Sequence, residues 1–116
     1  MNLDDYQSAA GETDILVADD LVLPMLGLAG EVGSLVAEYK KRQRDHTGYR
    51  AFPDEVREEL GDLLWYLATL ARRCDLSLDE IAADNIRKTR ERFLRPATPP
   101  AHALFDDDVS PVGAIA

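Results

Sequence analysis

The sequence predicts an all-α fold, with one short helix followed by three longer ones. Apolar residues recur at three- and four-residue intervals along three stretches of the chain, which is typical of amphipathic helices. Prolines or a capping pattern stand near the starts of these stretches, and both favour helix initiation. The chain has 116 residues, of which 46% are apolar, enough for the core of a single domain.

We expect residues 1–95 to form the helical domain and residues 96–116 to form an arm or flexible tail. The tail is rich in proline and alanine and has little periodicity, although Leu104 and Phe105 could dock on a neighbouring surface. The helices could pack alone, or two long helices per chain could pair with another copy in a four-helix bundle. We expect oligomerisation to complete a four-helix core.

The first helix is predicted from Leu3 to Thr13, with aspartates near its positively polarised start. Residues 14–22 show no clear pattern. A long second helix is predicted from about Leu23 to Arg44, with Pro24 in its first turn. Its glycines weaken it intrinsically, each by roughly 1 kcal/mol relative to alanine, so close approach of another helix is one explanation for them. These glycines are Gly27, Gly30 and Gly33.

A third helix is predicted from Pro53 to the region of residues 72–75, after a loop at residues 45–49. Its apolar stripe includes Cys74, which indicates a buried, inert thiol. The fourth helix begins at the capping pattern Ser77-Leu78-Asp79-Glu80 and ends before Pro96.

Charge and composition exclude several classes of function. The formal charge of -9 disfavours binding to nucleic acid, which relies on basic residues. There is no run of about 18 apolar residues that would indicate a membrane span. The polar N-terminus does not resemble a signal peptide, and the single cysteine cannot form an internal disulfide, so we expect a cytosolic protein.

Acidic side chains align on the second and third helices. Glu31, Ser34 and Glu38 share one helix face, because residues three or four apart are neighbours on a helix. Glu59 and Asp62 form a second line, and antiparallel packing would let the two lines face each other. Facing carboxylates in a helical bundle are a familiar way to build a metal site.

The alternative to a metal site is a solvated acidic face. A solvated face is the commonest kind of charged helix face, and the spacing of the acids alone favours it. Two details favour a metal site. Glu59 and Asp62 lie within EELGDLLWYLATLA, among apolar residues, and Glu31 lies within LGLAGEVGSL, where an unpaired charge would be costly. A divalent cation would remove the repulsion between these groups, and magnesium prefers such oxygen ligands.

Three stretches resemble the MazG-type nucleotide pyrophosphohydrolases of the all-α NTP pyrophosphatase group: GLAGEVGSLVAEYKK, EELGDLLWYLATLA and LSLDEIAADNIRKTRERF. The resemblance covers roughly residues 3–95. It implies a magnesium-dependent enzyme, with manganese as the alternative ion. Such enzymes cleave nucleoside triphosphates between the α and β phosphates, giving a monophosphate and pyrophosphate, and usually assemble as homodimers or homotetramers.

The resemblance also implies roles for individual residues. The family takes its metal ligands from a Glu-x-x-Glu pair and a Glu-x-x-Asp pair, and the matching ligands here are Glu31, Glu59 and Asp62. A metal-polarised water would attack phosphorus. Phosphate or sugar would be contacted by a lysine after the first pair and by an asparagine and a lysine on the last helix. The matching residues are Lys40 or, as we expect, Lys41, followed by Asn85 and Lys88.

One position departs from the family pattern. Ser34 stands where the family has its second glutamate, and serine is a weaker, neutral ligand. Glu38 lies about 6 Å further along the helix axis than Ser34, so it could assist a metal through water or bind a second metal. The departure leaves open slow catalysis, altered specificity, or a binding module that senses nucleotides. A purely structural helical oligomer is a third hypothesis.

Overall fold

The computed structural model of the protein describes residues 1–15 and 20–94. Within these ranges the chain is helical and contains no strand, which confirms the predicted all-α class. The expected tail at residues 96–116, including Leu104 and Phe105, lies outside the described residues, as does Pro96. The helices are α1 (Leu3–Gly11), α2 (Val22–Asp45), a short 3-10 helix (His46–Gly48), α3 (Phe52–Arg73) and α4 (Leu78–Phe93).

The chain divides into two compact units, Met1–Glu80 and Ile81–Ala116. The first unit contains α1, α2, α3 and the first turn of α4. In the second unit the described part, residues 81–94, is almost entirely the rest of α4. In the parts of the chain that the structure describes, every helix is too short or too polar to cross a bilayer.

Local sequence determines how the helices begin. Asn2 caps α1, because its Oδ1 accepts a hydrogen bond from the Asp5 N–H at 2.7 Å. The Asp5 carboxylate in turn accepts a hydrogen bond from the Asn2 N–H at 3.2 Å. Pro53 lies in the first turn of α3, where a missing N–H costs nothing. At the start of α4, Ser77 Oγ accepts a hydrogen bond from the Glu80 N–H at 3.2 Å, as the capping pattern predicts.

The core of the first unit lies where α1 meets α3 and consists of three alanines and Leu78. Ala68 of α3 is fully buried, and Ala10, Ala71 and Leu78 are nearly so. Trp65 and Tyr6 pack against this cluster. Alanines here let the two helices approach closely.

The prediction that Cys74 is buried is wrong. The thiol is exposed, because α3 ends at Arg73 and Cys74 serves as its C-cap, where the apolar stripe of the helix no longer continues. Cys74 is therefore not a core residue of this chain.

The apolar residues of α2 divide between two faces. One face packs on α3, whereas several large side chains on the rest of α2 stay exposed, together with two on α3. These exposed residues are Val22, Met25, Leu26, Val32 and Val36 of α2 and Leu60 and Leu67 of α3. The single chain thus leaves uncovered a large share of the apolar surface that periodicity assigned to packing.

Candidate functional site

Two antiparallel helices bring together the carboxylates that the sequence singles out. One ligand oxygen from each of Glu31, Glu59 and Asp62 lies within 4.8 Å of the others. Glu31 comes from α2, and the other two come from one turn of α3. Glu31 and Glu59 are half-buried, whereas Asp62 is exposed, so the cluster has one side in the protein and one side open to solvent.

The electrostatics of this carboxylate cluster are unfavourable without a counter-charge. The pKa of Glu59 is raised, first by a hydrogen bond shared with Glu31, then by burial, and then by the negative charges of Glu31, Asp62 and Glu38. Glu59 Oε2 is also buried with no hydrogen-bond partner among the described residues. An orphaned oxygen in a set of carboxylates fits a divalent cation, which would satisfy the oxygen and cancel the repulsion.

Glu38 lies outside the carboxylate cluster, in a network of its own. The residue is buried, with a relative exposure of 6%. One oxygen accepts a hydrogen bond from Lys41 Nζ at 3.0 Å, and the other accepts one from the Tyr49 hydroxyl. These two donors lower the pKa of Glu38, the Tyr49 hydroxyl contributing most. Both carboxylate oxygens of Glu38, which we expected to assist a metal, therefore already accept hydrogen bonds.

The other predicted site residues lie on α2 and α4, outside the carboxylate cluster. Ser34 is half-buried on α2, one turn after Glu31, and Lys40 is exposed. Asn85 and Lys88 are exposed on α4, in the second compact unit, and their contacts with a nucleotide remain predictions.

Sequence reasoning missed two features. Tyr49 was assigned only to a loop, because no helical spacing links residues on either side of a turn. Asp14 fell in the stretch without a pattern, yet its carboxylate is almost fully buried and pairs with Arg73 at 2.8 Å and with Arg72. These ion pairs anchor the segment after α1 to the end of α3. The Trp65 indole N–H adds a hydrogen bond to Thr13 Oγ1 at 2.8 Å.

Comparison with known proteins relates this geometry to a family. The sequence model of the MazG nucleotide pyrophosphohydrolase domain family matches residues 23–94, which include the carboxylate cluster. The Gene 37 protein of Mycobacterium phage L5 is 34% identical over 101 residues, covering 79% of this chain and 89% of the phage protein. No solved structure matches the chain significantly.

Two mammalian enzymes are also similar. The dCTP pyrophosphatase 1 of Mus musculus is 34% identical over 73 residues, and that of Rattus norvegicus is 33% identical over the same length. Each match covers 60% of this chain and 43% of the mammalian protein, so the chain spans less than half the length of these relatives.

Proposed function

The chain belongs to the MazG nucleotide pyrophosphohydrolase domain family, and we propose that it is a magnesium-dependent nucleoside triphosphate pyrophosphohydrolase. The reaction would add water across the anhydride between the α and β phosphates and release a nucleoside monophosphate and pyrophosphate. The observation that carries this proposal is the convergence of Glu31, Glu59 and Asp62 within the region that matches the family.

These three carboxylates would hold the ion. Their oxygens suit Mg²⁺ and also Mn²⁺, which accept carboxylate ligands. When bound, the ion would neutralise charge on the phosphate chain and polarise water. The residues themselves would fix the ion from both helices, since Glu31 lies on α2 and Glu59 and Asp62 lie on α3. The exposed side of the cluster, at Asp62, would leave room for the nucleotide.

Cations of the chain would bind the anionic substrate. Lys41 is anchored by its bond to Glu38, on the helix that also carries Glu31, and its ammonium group could donate to phosphate. Asn85 and Lys88, exposed on α4, would contact phosphate or sugar. Local cations matter here because the chain as a whole carries a charge of -9, which repels a nucleotide.

Ser34 favours a second candidate function. The serine replaces a carboxylate expected to bind metal, so the chain could bind nucleotides while hydrolysing them slowly or not at all. Such a module would sense nucleotides or regulate a partner. Calorimetric titration with nucleotide and magnesium separates this candidate from a helical oligomer with no ligand.

A screen for pyrophosphate release tests the main proposal. Canonical and modified nucleoside triphosphates, beginning with dCTP, would be incubated with the protein with and without Mg²⁺. The proposal predicts pyrophosphate and monophosphate from at least one nucleotide, only with the metal, and none from Asp62→Asn. Nucleotide binding without pyrophosphate release from any nucleotide would favour the regulatory module.

We also propose that the protein works as a homodimer or homotetramer in the cytosol. The support is the exposed apolar surface defined above on α2 and α3, since surfaces of this kind commonly mark subunit contacts. Light scattering coupled to gel filtration measures the state directly. A replacement of Val36 by Glu, which adds charge to this surface, would shift an oligomer toward monomer.

A further inference from the structure

Tyr49 is the first residue after the 3-10 helix that connects α2 to α3, and it makes contacts that no role yet explains. Its hydroxyl donates a hydrogen bond to Glu38, eleven residues earlier in the chain. Its ring packs against Phe52 at the start of α3, with centroids 6.2 Å apart and planes inclined at 58°. Tyr49 therefore links the second half of α2, through its hydroxyl, to the start of α3, through its ring.

Lys41 is held by the same group of residues. Its ammonium donates to Glu38 Oε1 at 3.0 Å and lies 5.8 Å from the centroid of the Tyr49 ring. A cation at this distance from an aromatic face is attracted to the ring. The ammonium has three N–H donors, and the bond to Glu38 uses one, which leaves two for a ligand.

Glu38 lies on α2 seven residues after Glu31, which places it two helical turns further along the same face. The negative charge of Glu38 is close enough to Glu59 to contribute to raising its pKa. Lys41, bonded to Glu38, is therefore held on the side of α2 that carries Glu31. Without Glu38 and Tyr49, the long side chain of Lys41 would sample many rotamers.

We propose that Tyr49 is a positioning residue that orients Lys41 toward the phosphate chain of a nucleotide bound at the carboxylate cluster. The proposal rests on the proposed function, because it takes the phosphate chain as the ligand of Lys41. Tyr49 acts through Glu38. Its hydroxyl fixes the buried carboxylate in one orientation, and the carboxylate and the ring together fix the ammonium.

The expected effect is on binding. A preoriented ammonium loses less conformational freedom when phosphate binds, so removing the Tyr49 hydroxyl weakens the complex. The contact is made equally in the ground state and the transition state, so KM rises while kcat is unchanged. A merely structural role would lower thermal stability without this separation of KM from kcat.

The test compares Tyr49→Phe with wild-type protein and with Tyr39→Phe, which removes a hydroxyl from an exposed tyrosine of α2. Two readouts are taken: steady-state kinetics on the best nucleotide of the screen, and calorimetric binding of inorganic tripolyphosphate with Mg²⁺. Tyr49→Phe is expected to raise KM and the tripolyphosphate Kd about three- to tenfold, with kcat within about twofold. Tyr39→Phe is expected to match the wild type.

A double-mutant comparison identifies the route of the effect. Lys41→Met removes the ammonium and keeps the length of the side chain, and in this background Tyr49→Phe is expected to change binding no further. Glu38→Gln, which keeps the shape of the side chain, should reproduce the effect of Tyr49→Phe. Thermal unfolding of each variant checks that it is folded.

Three outcomes would overturn the inference: a Tyr49→Phe variant that matches Tyr39→Phe, an equal loss of affinity with and without the Lys41 ammonium, or a wild type that does not bind tripolyphosphate. Failure of the proposed function looks different. It would appear as absence of pyrophosphate release from every nucleotide, and the tripolyphosphate titrations would still decide the role of Tyr49.

Discussion

Gly27 of α2 lies directly against the ring of Tyr66 of α3: a Cβ atom built on Gly27 would come within 2.2 Å of Tyr66 Cε1. The contact occurs one turn before Glu31 and one turn after Asp62, so it sets the spacing of the two helices beside the carboxylate cluster. Glycine is required here for close approach, and the cost of glycine to the helix is offset by this packing.

Replacing Gly27 by alanine should destabilise the protein by about 1–3 kcal/mol, because the methyl group forces the Tyr66 ring or the α2 backbone to move. The same displacement should weaken metal binding, since Glu31 would move away from α3. Denaturant unfolding and a Mg²⁺ titration measure the two effects. Gly33→Ala is the matched control, because a Cβ there meets no atom of the described residues within 4 Å. Equal stability of the two variants would contradict the close-packing account.

Replacing Glu59 by glutamine should stabilise the metal-free protein at neutral pH. The pKa of Glu59 is raised in the folded chain, so the folded state binds more protons than the unfolded state between the two pKa values. Stability therefore falls as pH rises from the unfolded pKa through the folded pKa, and the neutral glutamine removes this penalty. Thermal unfolding without metal should show a higher Tm for Glu59→Gln at pH 7 and a smaller difference at pH 4.

The same substitution should abolish the stabilisation that Mg²⁺ gives to the wild type, because a ligand that binds only the folded state raises its Tm. Asp54→Asn, in the first turn of α3, provides a matched loss of one acidic charge away from the carboxylate cluster. A Glu59→Gln variant that is less stable than wild type at pH 7 without metal would contradict the raised pKa.

Restoring a carboxylate with Ser34→Glu should tighten Mg²⁺ binding or increase turnover. The new group would lie one helical turn from Glu31 and supply the ligand that the family pattern expects there. Pyrophosphate release and metal affinity are measured side by side with Ser34→Ala as the control for loss of the hydroxyl. No change in either quantity would count against a shared site at positions 31 and 34.

Tyr49 should titrate at high pH. Its hydrogen bond to Glu38 raises the pKa of the phenol from the ordinary value of 10.0 to about 12, with smaller contributions from burial and the charges of Glu38 and Glu55. A phenol whose folded pKa is raised contributes stability that is complete below the unfolded pKa and lost as pH rises through the folded pKa. The tyrosinate absorbance of wild type minus Tyr49→Phe should therefore rise near pH 12, and a rise near pH 10 would contradict the bond.

The helices and the carboxylate cluster could be predicted because they depend on local spacing. Periodicity locates α2 and α3 to within one or two residues, and three-residue spacing places Glu59 beside Asp62 on one face. The family match confirms the resemblance drawn from three motifs and, with it, the class of enzyme. A short connection between α2 and α3 makes antiparallel packing the simplest arrangement, which brings Glu31 opposite the other two.

The remaining features depend on contacts across a turn or between distant segments. Nothing in helical spacing indicates that the Tyr49 hydroxyl would reach Glu38, because the chain reverses at His46, whose φ of 49° is positive. Sharing a helix face therefore did not indicate that Glu38 is also bonded to Tyr49, and its assistance to a metal stays a prediction. The burial of Asp14 beside Arg73 likewise depends on how the segment after α1 returns to α3.

The most direct test of the central claim is whether Glu31, Glu59 and Asp62 together hold a divalent cation. Electron paramagnetic resonance of Mn²⁺, titrated into the protein and then displaced by Mg²⁺, counts bound ions without requiring catalysis. The account predicts a Mn²⁺ site that Mg²⁺ displaces, that is lost in Glu31→Gln, Glu59→Gln and Asp62→Asn, and that is kept in Asp54→Asn. Equal Mn²⁺ binding by the wild type and all four variants would contradict it.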